Sequence, residues 1–225
     1  MTSRYDEIAA ALASVKEEIH SAIKSCNRTV DEVTLIAVTK TFPISDVHIL
    51  ASLDVHHYGE NRDGDAAPKA AAVPGTWHFQ GQIQSNKLKS IASWAHVIHS
   101  LDEQRHIIAL DKVAHHRIGV FLQVSLDGAS GRGGALPVDL SALADSVQQS
   151  ANLDLMGLMA VAPLDQSSEE AFEKLATIHS TFKDSYPSAM YLSAGMSNDF
   201  SQAIIHGATH IRVGSSILGS RPSPQ

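Results

Sequence analysis

The chain has few of the features that usually fix a protein's compartment or chemistry. It has one cysteine, Cys26, so no internal disulfide can form, and a reducing compartment, the cytoplasm, is the expected setting. No apolar run approaches the roughly 20 residues that a membrane span requires. The opening stretch, "MTSRYDEIAAALASVKEEI", carries acids among its apolar residues and does not read as a signal peptide. Positive charge is in deficit: the net charge of −7 argues against a general nucleic-acid or anionic-membrane surface. No Gly-x-Gly-x-x-Gly turn, His-Glu-x-x-His or cysteine pair occurs, which removes the dinucleotide fingerprint and the familiar zinc motifs. Thirteen histidines remain, including the pairs at 56–57 and 115–116. Adjacent residues on a strand point to opposite faces, so neither pair readily chelates one ion, and no metal is expected.

What is present is an apolar fraction of 44% with only 18% charged residues, enough for one core over a single domain, 1–225. The tail, about 221–225 within "SRPSPQ", is expected to be disordered. Ile8, Leu12, Val15 and Ile19 are spaced to form one face of a first helix, about 5–25. Strands are predicted at 33–39, 55–58, 76–80, 96–100, 117–125, 153–159, 189–192 and 209–213. Helices are predicted between them at 44–53, 62–72, 85–93, 103–115, 139–149, 168–185 and 199–206. Such alternation serves an open doubly wound sheet as well as a barrel. The count of eight, and the missing glycine turn after the first strand, favour a (β/α)8 TIM barrel with an additional N-terminal helix.

"LIAVTKTFP" (35–43) ends a buried strand on Lys40, a residue costly to remove from water. Barrel chemistry gathers at such strand ends. "LSAGMSND" (192–199) and "IRVGSSILG" (211–219) follow strands seven and eight, where barrels frequently bind phosphate. Gly195 allows an unusual turn and Ser197 is a natural N-cap, while Gly214, Ser215 and Ser216 open a short last helix. Unpaired N–H groups there would face an anion. Arg212 alternates with Ile211 and Val213, so it is expected to face the barrel mouth. A lysine and a phosphate site together suit a phosphorylated carbonyl compound held as an imine, its formation helped by a guanidinium that disfavours the ammonium. Two ligands fit: pyridoxal 5′-phosphate (PLP), or a phosphosugar in a Schiff-base aldolase. Lys69, Lys87 and Lys89 read as solvated, with Lys87 a minor candidate for transient ligand contact. "GRGG" (131–134) reads as a surface loop.

"LIAVTKTFP", "HYGENRDG", "WHFQGQIQSNK", "LMGLMAVAP" and "LSAGMSNDFSQAIIHGATHIRVGSSILGSR" together resemble the pyridoxal phosphate homeostasis protein family, in the family's order from about residue 5 to 221. The resemblance implies the fold-type III PLP-binding barrel shared with alanine racemase, and PLP bound as an imine to Lys40. It further implies Ser197, Gly214 and Ser215 at the phosphate, and Arg212 at the pyridine nitrogen. Asn61 would lie near the ring, Met159, Ser193 and Met196 would line the pocket, and His78 would be a neighbour. Arg62 stands where the family commonly has an aromatic, Tyr58 where it has Phe, and "DGASGRGGALP" where a lysine-glycine pattern is usual.

An arginine keeps its proton, so the ring nitrogen opposite it stays neutral and the electron sink is weak. Barrel racemases take a second base from an additional β-domain, and the chain ends at Gln225 without one. Tyr5, Tyr58, Tyr186 and Tyr191 read as structural. The expected function is a monomeric PLP carrier in vitamin B6 homeostasis, without strong turnover, with PLP-dependent apo-enzymes as recipients. An amino-acid racemase is the alternative, and a class I aldolase the further one.

Overall fold

In the computed structural model, which describes residues 2–129 and 133–220, every predicted strand takes its place in one closed parallel barrel. The strands are β1 (Thr34–Val38), β2 (His57–Glu60), β3 (Thr76–Phe79), β4 (Val97–Leu101), β5 (Ile118–Gln123), β6 (Leu153–Met159), β7 (Tyr191–Ser193) and β8 (His210–Val213). They follow one another around the barrel in chain order, and β1 closes on β8 with Thr34 opposite His210 and Ala37 opposite Val213. Runs such as "VIHSL" of β4, buried at every position, need both faces covered, which only a sheet wrapped in helices provides.

The outer layer contains α2 (Ile44–Ser52), α3 (Asp63–Ala72), α4 (Leu88–Trp94), α5 (Gln104–Val113), α6 (Leu140–Gln148), α7 (Ser168–Ser185) and α8 (Phe200–Ile205), with the short α9 (Ser215–Leu218) after β8. The additional helix α1 (Arg4–Ser25) starts at a capping box, in which Ser3 and Asp6 satisfy each other's backbone amides. Its stripe of Ile8, Leu12, Val15 and Ile19 is buried against the barrel's side, beside α2, α8 and α9. Arg4 at its first turn donates to Asp46 Oδ2 on α2 (2.7 Å) and to the Leu218 carbonyl on α9 (2.8 Å).

A parallel barrel ordinarily fills its interior with layers of branched aliphatic side chains. Here His78, His99 and His210 are buried in a cluster with Phe121, Ser193 and Arg212. Phe121 stacks on His99 at 4.6 Å, and His210 meets Phe121 edge-on. Of the loop 131–134, Gly131 and Arg132 lie outside the described residues, as does the tail 221–225.

Candidate functional site

Lys40 sits two residues past the end of β1, half-buried, on a turn closed by the Phe42 amide donating to the Thr39 carbonyl (3.1 Å). Thr41, next in the chain, is held in the left-handed region at φ +69°, a conformation costing a non-glycine residue about 1 kcal/mol. Neighbouring strand ends fix the base of this turn. Thr39 Oγ1 donates to Glu60 Oε1 (2.7 Å), and Lys69 Nζ donates both to that oxygen (2.6 Å) and to the Thr39 carbonyl (2.9 Å). Lys69 is therefore not a solvated lysine. It is buried because the carboxylate at the end of β2 gives its ammonium a partner there.

The β8 end meets β1 closely. A Cβ added at Gly214 would lie 3.2 Å from the Val38 carbonyl, a tight contact that a larger residue could make only by pushing β1 back a few tenths of an ångström. Just beyond, the amides of Gly214 and Ser216 both donate to Ser197 Oγ, at 3.2 and 3.3 Å. Ser197 therefore does not cap the helix that follows it. Asp199 occupies the N-cap of α8, and its Oδ1 accepts from the Met196 amide at 2.6 Å. Ser197 instead places its oxygen against two amides of the α9 turn. The turn leading into it requires Gly195, at φ +88° and packed where a Cβ would strike Ala203.

Arg212 lies on β8 and is buried among protein groups, donating to Ser193 Oγ (2.7 Å) and to the Ala160 carbonyl (3.0 Å). Burial lowers its pKa to about 10, so it stays charged at neutral pH. Ser193 Oγ also meets His99 Nδ1 at 2.8 Å. His78 stands on the far side of His99 and bonds to His99 and His57, away from Ser197. Burial holds His78 and His99 well below the ordinary imidazole range, and neighbouring imidazoles deepen the effect. The same cause takes His210 to about 4.

Asn61 Oδ1 and Gln80 Nε2, at the ends of β2 and β3, are buried without a hydrogen-bond partner, as an incoming polar ligand would require. Met159 is buried against Val97 and Phe121. Met196 and Ser215 are exposed at the mouth. Lys87, exposed, lines a cavity of about 300 Å³ with Asn61, Arg62 and Phe79. A second cavity of about 230 Å³ lies by Gln123, Ser125 and Val161. Neither includes Lys40 or Ser197.

The one group of potential metal donors among the described residues is Asp102, Glu103 and His106, with ligand atoms within 4.8 Å of one another. Asp102 there accepts from the Gly134 amide, and Glu103 is bridged by Arg105. Among the tyrosines, Tyr58 donates to the Val55 carbonyl and Tyr186 to the Ser141 carbonyl and to Asp145, which are structural attachments.

Glu60, Gln80 and His99 also belong to this region, and no sequence motif singled them out. The histidines had a signal: 57, 78 and 99 recur every 21 residues, as positions repeated in successive βα units would.

Residues 15–222 match the family profile of the alanine racemase N-terminal domain. A pyridoxal phosphate homeostasis protein of Mycobacterium tuberculosis is 40% identical, covering 97% of this chain and 94% of its own. One from Escherichia coli is 31% identical, covering 96% and 97%. Among solved structures, PipY of Synechococcus elongatus with PLP bound superposes with a TM-score of 0.82 at 31% identity, covering 94% of this chain and all of that one. Alanine racemase from Corynebacterium glutamicum, at 11% identity and a TM-score of 0.75, shares the fold over 95% of this chain and 60% of its own.

Proposed function

Because the chain belongs to the pyridoxal phosphate homeostasis protein family, with an alanine racemase-type barrel, we propose that it holds PLP at the β1 and β8 ends and serves as its carrier. One observation carries the reading. The strand that delivers Lys40 packs at Val38 against Gly214, whose amide and that of Ser216 are aimed at a single oxygen. An amine and an anion cradle at adjacent strand ends suit a phosphorylated aldehyde.

When bound, PLP supplies an aldehyde that condenses reversibly with a lysine amine. The residues supply the rest. Lys40 Nζ is the amine, positioned by the Thr39–Glu60–Lys69 network beneath it. Ser197, Gly214 and Ser215 would hold the phosphate, and Asn61 Oδ1 and Gln80 Nε2, buried without partners, would take polar atoms near the ring. Arg212 would face the ring nitrogen and keep it unprotonated, since its charge persists at neutral pH.

That arrangement favours storage over turnover, because a neutral ring withdraws electrons weakly. Tyr58 and Tyr186, tied to backbone carbonyls, are not poised as a racemase's second base. PLP-dependent apo-enzymes as recipients, a monomeric state and a cytoplasmic setting belong to the same proposal. The lone thiol, Cys26, fits a reducing compartment.

Borohydride reduction of PLP-loaded protein followed by peptide mass mapping tests the reading. The expected adduct is on Lys40, with none in Lys40→Ala. An adduct elsewhere, or racemization of amino acids at ordinary enzymatic rates, would overturn it.

A further inference from the structure

A continuous line of hydrogen bonds runs through the barrel lumen behind the proposed site. His57 Nδ1 lies 3.0 Å from His78 Nε2, and His78 Nδ1 lies 2.9 Å from His99 Nε2. His99 Nδ1 lies 2.8 Å from Ser193 Oγ, which accepts from Arg212 at 2.7 Å. The line climbs β2, β3 and β4 and then crosses the lumen to β7. His57, half-buried at the first position of β2, is its outer end at the barrel floor. His78, His99 and Ser193 are buried.

Electrostatics keeps the line neutral. Burial disfavours the charged form of every ring in it. His57, His96 and His210 add to the effect at His78, while His78, Arg212 and His210 add at His99 and His56 at His57. A neutral imidazole has one donor and one acceptor nitrogen, so only two arrangements satisfy every link. In the outward one, Ser193 Oγ–H donates to His99 Nδ1, His99 Nε2–H to His78 Nδ1, and His78 Nε2–H to His57 Nδ1. In the inward one each link is reversed, and the serine proton turns toward the pocket. The two differ by the passage of one proton along the whole line.

We propose that Ser193, His99, His78 and His57 form a proton relay joining the Arg212 end of the cofactor pocket to the barrel floor. The inference rests on the PLP reading above. A pyridinium ring brought opposite a buried guanidinium must shed its ring proton, because two cations repel strongly out of water. A ligand bound there would occupy the mouth, which leaves the floor as the exit. The ring N–H bond breaks and its proton goes to Ser193 Oγ while the serine's own passes to His99 Nδ1. The Nε2 proton of His99 passes to His78 Nδ1, that of His78 to His57 Nδ1, and that of His57 to water. No electrons change hands, and every relay group ends neutral.

The first test needs no ligand. NMR of the ring nitrogens in ¹⁵N-labelled apo protein should find His78 and His99 neutral over about pH 5 to 8, with the same nitrogen protonated in both. An imidazolium at either position, or opposite tautomers, would overturn the line. The second test mixes PLP with the protein and follows the visible band alongside an indicator dye for released protons.

Glutamine can keep a hydrogen bond but does not pass a proton on. In His78→Gln, and in His57→Gln at the more tolerant floor, proton release should lag the band by about tenfold or more relative to wild type. Release that keeps pace with the band in both variants would overturn the relay. A wild-type protein that forms no band and releases no proton would instead overturn the PLP reading, leaving the tautomer measurement to decide the line itself.

Discussion

Lys69 Nζ and Glu60 Oε1 lie 2.6 Å apart inside the protein, and through Thr39 the pair braces the turn that carries Lys40. Removing one member strands the other. Glu60→Gln or Lys69→Met should each destabilise the fold by about 3 kcal/mol, and the double variant by less than the sum. Denaturant melts of the four proteins form the cycle that measures this. Additive losses would mean that the two groups act independently.

Ser197→Ala removes the oxygen shared by the Gly214 and Ser216 amides. One hydrogen-bonding group of this kind contributes about 1 kcal/mol, so PLP affinity should fall roughly fivefold to tenfold. Titration of protein fluorescence with PLP reads the change, and an unaltered affinity would place the phosphate elsewhere.

Stability should fall in mild acid. The pKa of His210 drops from 6.5 to about 4 on folding, so between those values the unfolded chain binds more protons than the native one. Its contribution is complete above pH 6.5 and is lost as pH falls toward 4, by up to about 3 kcal/mol. His78 and His99, depressed in the same direction, add to the slope. Guanidinium melts at stepped pH measure it, and His210→Leu should flatten the curve.

Gly157→Ala should cost more than an ordinary cavity mutation. The backbone at 157 has φ +155°, and an added Cβ would lie 1.8 Å from the Tyr191 carbonyl, inside the β6–β7 ladder. We expect a larger loss than the roughly 2 to 5 kcal/mol of Ile8→Ala, which only empties space under α1. Thermal melts of the two variants decide the ranking.

The eight βα units were legible because apolar runs alternate with amphipathic ones. β6 and α7 fall where the pattern put them, at Leu153–Met159 and Ser168–Ser185. β2 came out later than expected, at His57–Glu60, because a glycine and a buried glutamate do not read as strand. The burial of Lys69 was hidden for another reason: its partner lies on another element, and a single sequence shows charges but not their pairing. Ser197 had the composition of an N-cap, yet Asp199 sits nearer the helix and took the role. Lys40 and Arg212 could be placed by strand position alone, whereas the lumen histidines became a line only when the barrel closed.

The grip of Arg4 on both Asp46 and the Leu218 carbonyl makes the first turn of α1 a clasp on the outside of the barrel's seam. The helix it holds is the one whose opening amides face Ser197. Loosening the start of the chain, by a bulky fusion or by trimming ahead of Tyr5, would then register some two hundred residues away as a slackened grip on phosphate.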